Sequence, residues 1–218
     1  MAITQGLGDH TALIIRKIHK YYEHMKYESI FIGGLADKIE EWGVVEDIMD
    51  EFQLGPKRPD DVSSLLKMLG YETVYVIPDD EYAFGQPFKA EMQFDIAVSI
   101  QGLAGRVGNQ EQFFKNFHDL VKPGGTIIHS GVWQNAKDDK FFSHNPLFWA
   151  RLAQVLGYGV SAHLLQVGNE LCRLEHPSLD GTDYELVAKY NIRHETKPAY
   201  IYTMYNKSEE NLPFEFDL

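Results

Sequence analysis

Phe94-Asp95-Ile96-Ala97-Val98-Ser99 and, one loop later, Gln110-Glu111-Gln112-Phe113-Phe114-Lys115-Asn116-Phe117-His118-Asp119-Leu120-Val121-Lys122-Pro123-Gly124-Gly125-Thr126 decide the fold. The first run is short, apolar and without a polar face, the pattern of a strand buried on both sides. The second places apolar residues at 113, 114, 117, 120 and 121, which is helical spacing. Pro123 ends that helix, Gly124-Gly125 permits a sharp reversal, and Thr126-Ile127-Ile128-His129 re-enters as the next strand. A strand, a crossover helix and a second strand make one unit of a parallel sheet.

The same alternation extends upstream. Ser29-Ile30-Phe31-Ile32 reads as a strand that stops at Gly33-Gly34, and Thr73 to Ile77 as another. Between them, Val62, Leu65, Leu66 and Leu69 mark a helix with an acidic first turn that Gly70 terminates. Asp9 to Tyr27 reads as an amphipathic helix with Asp9 or Thr11 as its N-cap. Downstream, Asn145-Pro146 opens a helix running to about Gly157, Val160 to Val167 is strand-like, and Ala199 to Tyr205 suits a final antiparallel strand. The fold class is therefore α/β: a mostly parallel, doubly wound sheet with helices on both faces and an antiparallel last strand. The expected organisation is an N-terminal helix over 1–27, the α/β domain over 28–207 and an acidic tail over 208–218. Residues 35–61 form an acidic insertion: nine acidic side chains against three basic ones, half of the chain's formal charge of −12.

That charge, from 20 Lys plus Arg against 32 Asp plus Glu, argues against a nucleic-acid partner held through phosphates. No apolar stretch approaches the roughly 20 residues of a membrane helix. Met1 to Gly6 lacks the features of a secretory signal, and Cys172 is alone, so a cytoplasmic setting is expected. The nine histidines are scattered, His19 and His24 being five apart, and no paired metal-ligand spacing exists. Cys172 reads as a small buried hydrophobe, and Asp95, at a strand start, as an acceptor for neighbouring backbone amides.

The strand Phe94 to Ser99, its helix and the Leu120-Val121-Lys122-Pro123-Gly124-Gly125 turn resemble the second half of class I S-adenosylmethionine-dependent methyltransferases. Phe141-Phe142-Ser143-His144-Asn145-Pro146-Leu147-Phe148-Trp149 and Leu156-Gly157-Tyr158 are similar to the later helix and return strand of members acting on small molecules or sugars. The resemblance implies S-adenosylmethionine as cofactor and a small-molecule acceptor as partner. It places Gly33 and Gly34 by the methionine part, Asp79 by the ribose, and Gln101 and Gly102 by the adenine or the transfer region.

His129 or His144 then faces the acceptor as a general base, since imidazole titrates near neutral pH. Each also has a plainer reading, His129 as a hydrogen-bonded strand-end residue and His144 as a cap of the following helix. The first turn departs from the family's E-x-G-x-G pattern: Ile30 to Asp37 holds two adjacent glycines and no preceding acid, and Gly33 and Asp79 lie 46 positions apart. A second function class follows from that departure: a methyltransferase-fold binding or assembly module without transferase activity. A nicotinamide-dependent dehydrogenase is a weaker third, because no G-x-G-x-x-G turn follows the first strand.

Overall fold

The computed structural model describes residues 7–78, 81–88, 91–132, 142, 144, 146–167, 170–174, 199–210 and 213–214. Strands β1 (Ser29–Gly33), β2 (Thr73–Ile77), β3 (Phe94–Ser99) and β4 (Val121–Val132) are parallel and lie in the order β2-β1-β3-β4. The sheet continues through β7 (Ala199–Asn206), antiparallel to β4, then β5 (Gly159–Val167) and β6 (Glu170–Leu174), each antiparallel to its neighbour. Five of the seven strands thus run one way, with the reversed β7 inserted between β4 and β5. This is the methyltransferase-like α/β sheet expected from the sequence. The hairpin strand β6 was not foreseen.

Alternate residues of the parallel strands feed two cores. Phe31, Ala97 and Ile127 point to one face, with Phe84 of α4 (Glu81–Phe84), Phe113, Phe114 and Phe117 of α6 (Gln110–Leu120), and Trp149 and Leu152 of α7 (Pro146–Val155). Ile30, Ile32, Ile96, Val98 and Ile128 point to the other, against α1 (Asp9–Tyr22), α2 (Gly43–Glu51) and α3 (Val62–Met68). Apolar side chains on both faces explain why the strands show no alternating polar pattern.

Local differences from expectation have identifiable causes. Helix α1 stops at Tyr22, and Gly8, the residue before it, offers no side chain as a cap; Thr11 lies inside the helix and bonds elsewhere. Within the acidic stretch, α2 buries Val45, Ile48 and Met49 and packs on α1, where Glu51 receives Arg16 and Lys20. Asp61 is the N-cap of α3 rather than part of its first turn: its carboxylate accepts Ser64 N at 2.7 Å while Ser64 Oγ accepts Asp61 N at 2.9 Å. That reciprocal pair satisfies two otherwise orphaned amides.

The Pro123-Gly124-Gly125 segment is a bulge inside β4 rather than a separate turn. Val121 opposes Phe94 and Thr126 opposes Ile96, so the extra residues loop out between them. A Cβ on Gly125 would stand 2.7 Å from Asp95 O and from Val121 Cγ1, which requires glycine there. Beside it Lys207, buried, donates from Nζ to the His118 and Val121 carbonyls at 2.9 Å each and closes the end of α6.

Candidate functional site

From β1 the chain crosses to β2 on one side, and later to β3 on the other, so the strand order reverses between β1 and β3. Open α/β sheets bind ligands at the carboxyl ends of the strands flanking such a point. Here those ends are Gly33-Gly34 and Ser99-Ile100-Gln101-Gly102. Both turns use left-handed backbone: Gly34 at φ +94°, Gln101 at +55° and Gly102 at +68°. For glycine that costs nothing, but for Gln101 it is strain held by its surroundings.

The crevice between these turns is occupied by the chain's own atoms. A Cβ on Gly33 would lie 2.8 Å from Phe84 Cζ, and one on Gly34 3.1 Å from Ile100 O and 3.4 Å from Leu103 Cδ2. Leu7, Leu35 and Leu103 are fully buried around it. Gly34 N and Leu35 N both donate to Ile77 O, Ile100 N to Gly33 O, and Gly102 N to Ser130 Oγ at 2.8 Å. The N-terminal segment completes the closure: Leu7 bonds to the backbone of Lys38 and Glu40, and Gln101 Nε2 donates to Thr11 Oγ1 at 3.2 Å. Asp79 lies outside the described residues.

His129 is enclosed at the end of β4. Its Nδ1 is 3.2 Å from Ser99 Oγ, and the rings of Phe114 and Phe117 stand 5.0 Å from its own, with Trp149 stacked at 6.0 Å. Burial, with a smaller contribution from His144, pulls its pKa down to about 3, so it is a neutral ring at pH 7. Ser99 Oγ also accepts Ser130 N, so Ser99, Ser130 and His129 tie the ends of β3 and β4 together.

His144 is built differently. Gln110 Nε2 donates to the Ala104 and Val107 carbonyls at 2.7 and 2.6 Å, which turns its Oε1 toward His144 Nε2 at 3.0 Å. An amide oxygen only accepts, so Nε2 carries the proton and Nδ1 is left as a bare lone pair. That Nδ1 is buried with no hydrogen-bond partner among the described residues, and so is the indole Nε1–H of Trp149, whose ring lies 4.9 Å away. Burial lowers the His144 pKa to about 4. Gly131, at the end of β4, faces both: a Cβ there would meet Trp149 Cζ2 at 2.6 Å and His144 Nδ1 at 3.2 Å.

The structure therefore brings Gly33, Gly34, Gln101 and Gly102 to one crevice, and His129 and His144 to the neighbouring strand end, joined through Ser130. Sequence reasoning did not single out Gln110, which sets the His144 tautomer; Phe84, which reads in the sequence either as a stacking aromatic or as one buried against the sheet, is buried and faces Gly33. Gln110 opens helix α6 directly after Asn109, whose side chain caps it, so the signal available was a glutamine in a first turn beside a conspicuous loop. Asp95 follows its plainer reading: its Oδ2 accepts Ser29 N, Glu28 N and Ser29 Oγ, and Oδ1 accepts Lys122 Nζ at 2.7 Å. Among the described residues no group of three or more His, Cys, Asp or Glu is placed to hold a metal ion, and no helix is long and apolar enough to cross a membrane.

Strand order and crossover pattern define a class: a protein with the class I methyltransferase-like fold. No family model matches the sequence, and no curated protein matches it. Among solved structures it is similar to the N-methyltransferase NodS from Bradyrhizobium japonicum WM9, at 9% identity over 90% of this chain and 98% of that one, with a TM-score of 0.47. A protein provisionally assigned as a sarcosine dimethylglycine methyltransferase from Galdieria sulphuraria shares 10% identity over 95% and 94% of the two chains, TM-score 0.47. A provisionally assigned methyltransferase from Bacillus halodurans C-125 shares 14% over 88% and 98%, TM-score 0.46.

Toward S-adenosylmethionine the crevice fits in backbone and not in contents. Its two turns carry no side chain at Gly33, Gly34 and Gly102, yet Leu35, Leu103 and Phe84 fill the space and the amides of Gly34, Leu35 and Gly102 are used internally. As packed it is closed, and a cofactor enters only if these side chains part.

Proposed function

We propose that this chain is an S-adenosylmethionine-dependent methyltransferase acting on a small-molecule or sugar acceptor. What supports this most is the pair of unsatisfied polar atoms at the end of β4. His144 Nδ1, fixed as an acceptor by Gln110, and Trp149 Nε1, a donor, are both buried without partners among the described residues. Orphaned buried polar groups are costly, so a donor–acceptor pair at the strand end next to the switch point suits an acceptor that carries both a donor and an acceptor, such as a hydroxyl. His144 would accept that hydroxyl's proton in a hydrogen bond and Trp149 would donate to its oxygen, holding it in line. Alignment is the greater part of catalysis in a displacement of this kind. The left-handed backbone of Gln101 beside Gly102 adds support to this reading.

A second reading, a methyltransferase-fold binding or assembly module without transfer activity, is supported by the filled crevice at Gly33 and Gly34. Calorimetric titration of purified, ligand-free protein with S-adenosylmethionine and S-adenosylhomocysteine separates the two. Saturable binding of either, weakened by Asp79→Ala, is the outcome expected of a transferase. Heat-silent titrations on a folded sample would replace it with the module.

A further inference from the structure

Strand β2 is the edge of the sheet at the end opposite β6, and among the described residues β1 is the strand beside it. Successive residues of a strand turn their N–H and C=O groups to opposite edges. Thr73 N donates to Glu28 O, and Ile77 O accepts from Gly34 N and Leu35 N, so Thr73, Tyr75 and Ile77 bond toward β1. Val74 and Val76 therefore direct their backbone groups outward, where no strand among the described residues pairs with them. Pro78, the next outward position, has no N–H and closes the row.

A free strand edge is a template for pairing, and proteins blunt such edges with a charge, a proline or a bulge inside the strand. Thr73-Val74-Tyr75-Val76-Ile77 carries none of these. Its central Tyr75 is 49% exposed, the highest value for a large apolar side chain among the described residues, and its ring meets Phe94 at 5.5 Å. Val74 and Val76 are half-buried against the core that α3 covers. An added strand would thus find apolar neighbours for its alternate side chains on each face. Charge decides what that strand is. From Met68 to Phe88 the sequence holds Glu72, Asp79, Asp80 and Glu81 and no Lys or Arg, so acids bracket β2 at both ends. Antiparallel pairing of two copies of β2 would bring these acidic ends together, and like charges across a ladder repel. A strand with basic ends is attracted at both, and the chain's net charge of −12 favours its approach.

We propose that the outer edge of β2 receives an extended segment of another protein, β-branched and apolar at its centre and rich in Lys or Arg at its ends, as an added strand. This edge points away from β1, so the docking does not depend on how the switch point is read. The test is NMR titration of the whole chain with the amidated peptide Lys-Lys-Thr-Val-Thr-Val-Lys-Lys, beside the same peptide with Glu in place of every Lys. The basic peptide should saturate, shifting the Val74 and Val76 amides and protecting them from hydrogen exchange, and the acidic one should bind at least about tenfold more weakly. Val76→Pro removes an outward N–H that the fold leaves unpaired, and should weaken the basic peptide about tenfold. Tyr75→Lys, an exposed change that leaves the backbone ladder intact, should weaken it several-fold by placing like charge at the centre of the edge. No saturable binding by the folded wild-type chain, equal affinity for the two peptides, shifts that bypass β2, or self-association of the free chain through β2 overturns the proposal.

Discussion

At the amino ends of β1 and β3 a charged clamp faces water, whereas at their carboxyl ends the same two strands finish in turns sealed by leucine and phenylalanine. The clamp is Asp95, which gathers Ser29, the Glu28 amide and Lys122 around one carboxylate. Burial alone would raise its pKa, but these bonds together hold it below the usual carboxylate range. At the carboxyl ends amides, serines and two neutral histidines are tied within the chain, and His144 Nδ1 and Trp149 Nε1 have no hydrogen-bond partner among the described residues. Where the sheet needs only to be fastened, an ion pair open to solvent suffices. At the carboxyl ends the strands are instead closed by apolar packing and by hydrogen bonds between neutral groups.

The largest effect should come from unsealing the carboxyl end. Phe84 is packed against Phe117 at 5.9 Å and against Gly33, so Phe84→Ala should cost about 4 kcal/mol in urea unfolding. Gly33→Ala should cost about 2 kcal/mol in the wild-type chain, where its methyl meets Phe84, and much less in the Phe84→Ala background. Equal costs in the two backgrounds would show that Phe84 does not fill the turn.

The next effect separates the two ends by pH. His129 and His144 hold pKa values of about 3 and 4 in the folded chain, against about 6.5 when unfolded. Between these values the unfolded state binds the extra protons, so the stability from keeping both rings neutral is complete above about pH 6.5 and falls as acid is added. Each histidine should remove about 2 kcal/mol between pH 7 and pH 5, a range in which the Asp95 clamp, with its depressed pKa, stays ionised and intact. Replacing His144 by Gln should lower the slope of unfolding free energy against pH over that interval by about 1 kcal/mol per pH unit. An unchanged slope would mean that His144 is reached by water.

The parallel half of the sheet was legible because each buried strand is an uninterrupted apolar run between glycine or proline signals, as in Phe94 to Ser99 and Thr73 to Ile77. The switch-point turns were legible from Gly33-Gly34 and Gln101-Gly102 for the same reason. What could not be read was long-range. Residues 35–61 look like solvated acid, yet Val45, Ile48 and Met49 recur at helical spacing and bury α2 on α1. His129 and His144 look alike as isolated imidazoles; which is enclosed by rings and which keeps a bare nitrogen depends on α6, whose Phe113, Phe114 and Phe117 surround the first and whose Gln110 orients the second.

The smallest predicted effect asks whether strain at the carboxyl end is tied to the site. Two non-glycine residues among those described have positive φ, Gln53 at 53° and Gln101 at 55°. Gln53 sits in the turn after α2, where its amide donates to Asp50 O at 3.3 Å. Gln53→Gly should stabilise the fold by about 0.5–1 kcal/mol, because glycine adopts this backbone without cost. Gln101→Gly relieves similar strain but gives up the bond to Thr11 that fastens α1 over the crevice, so its net change should be close to zero in thermal unfolding. If Gln101→Gly stabilises as much as Gln53→Gly, the Thr11 contact adds nothing and α1 rests on the crevice by its apolar side chains alone. If it destabilises instead, the glutamine is part of what keeps the carboxyl end shut, and the same variant should then admit S-adenosylhomocysteine more readily than the wild-type chain.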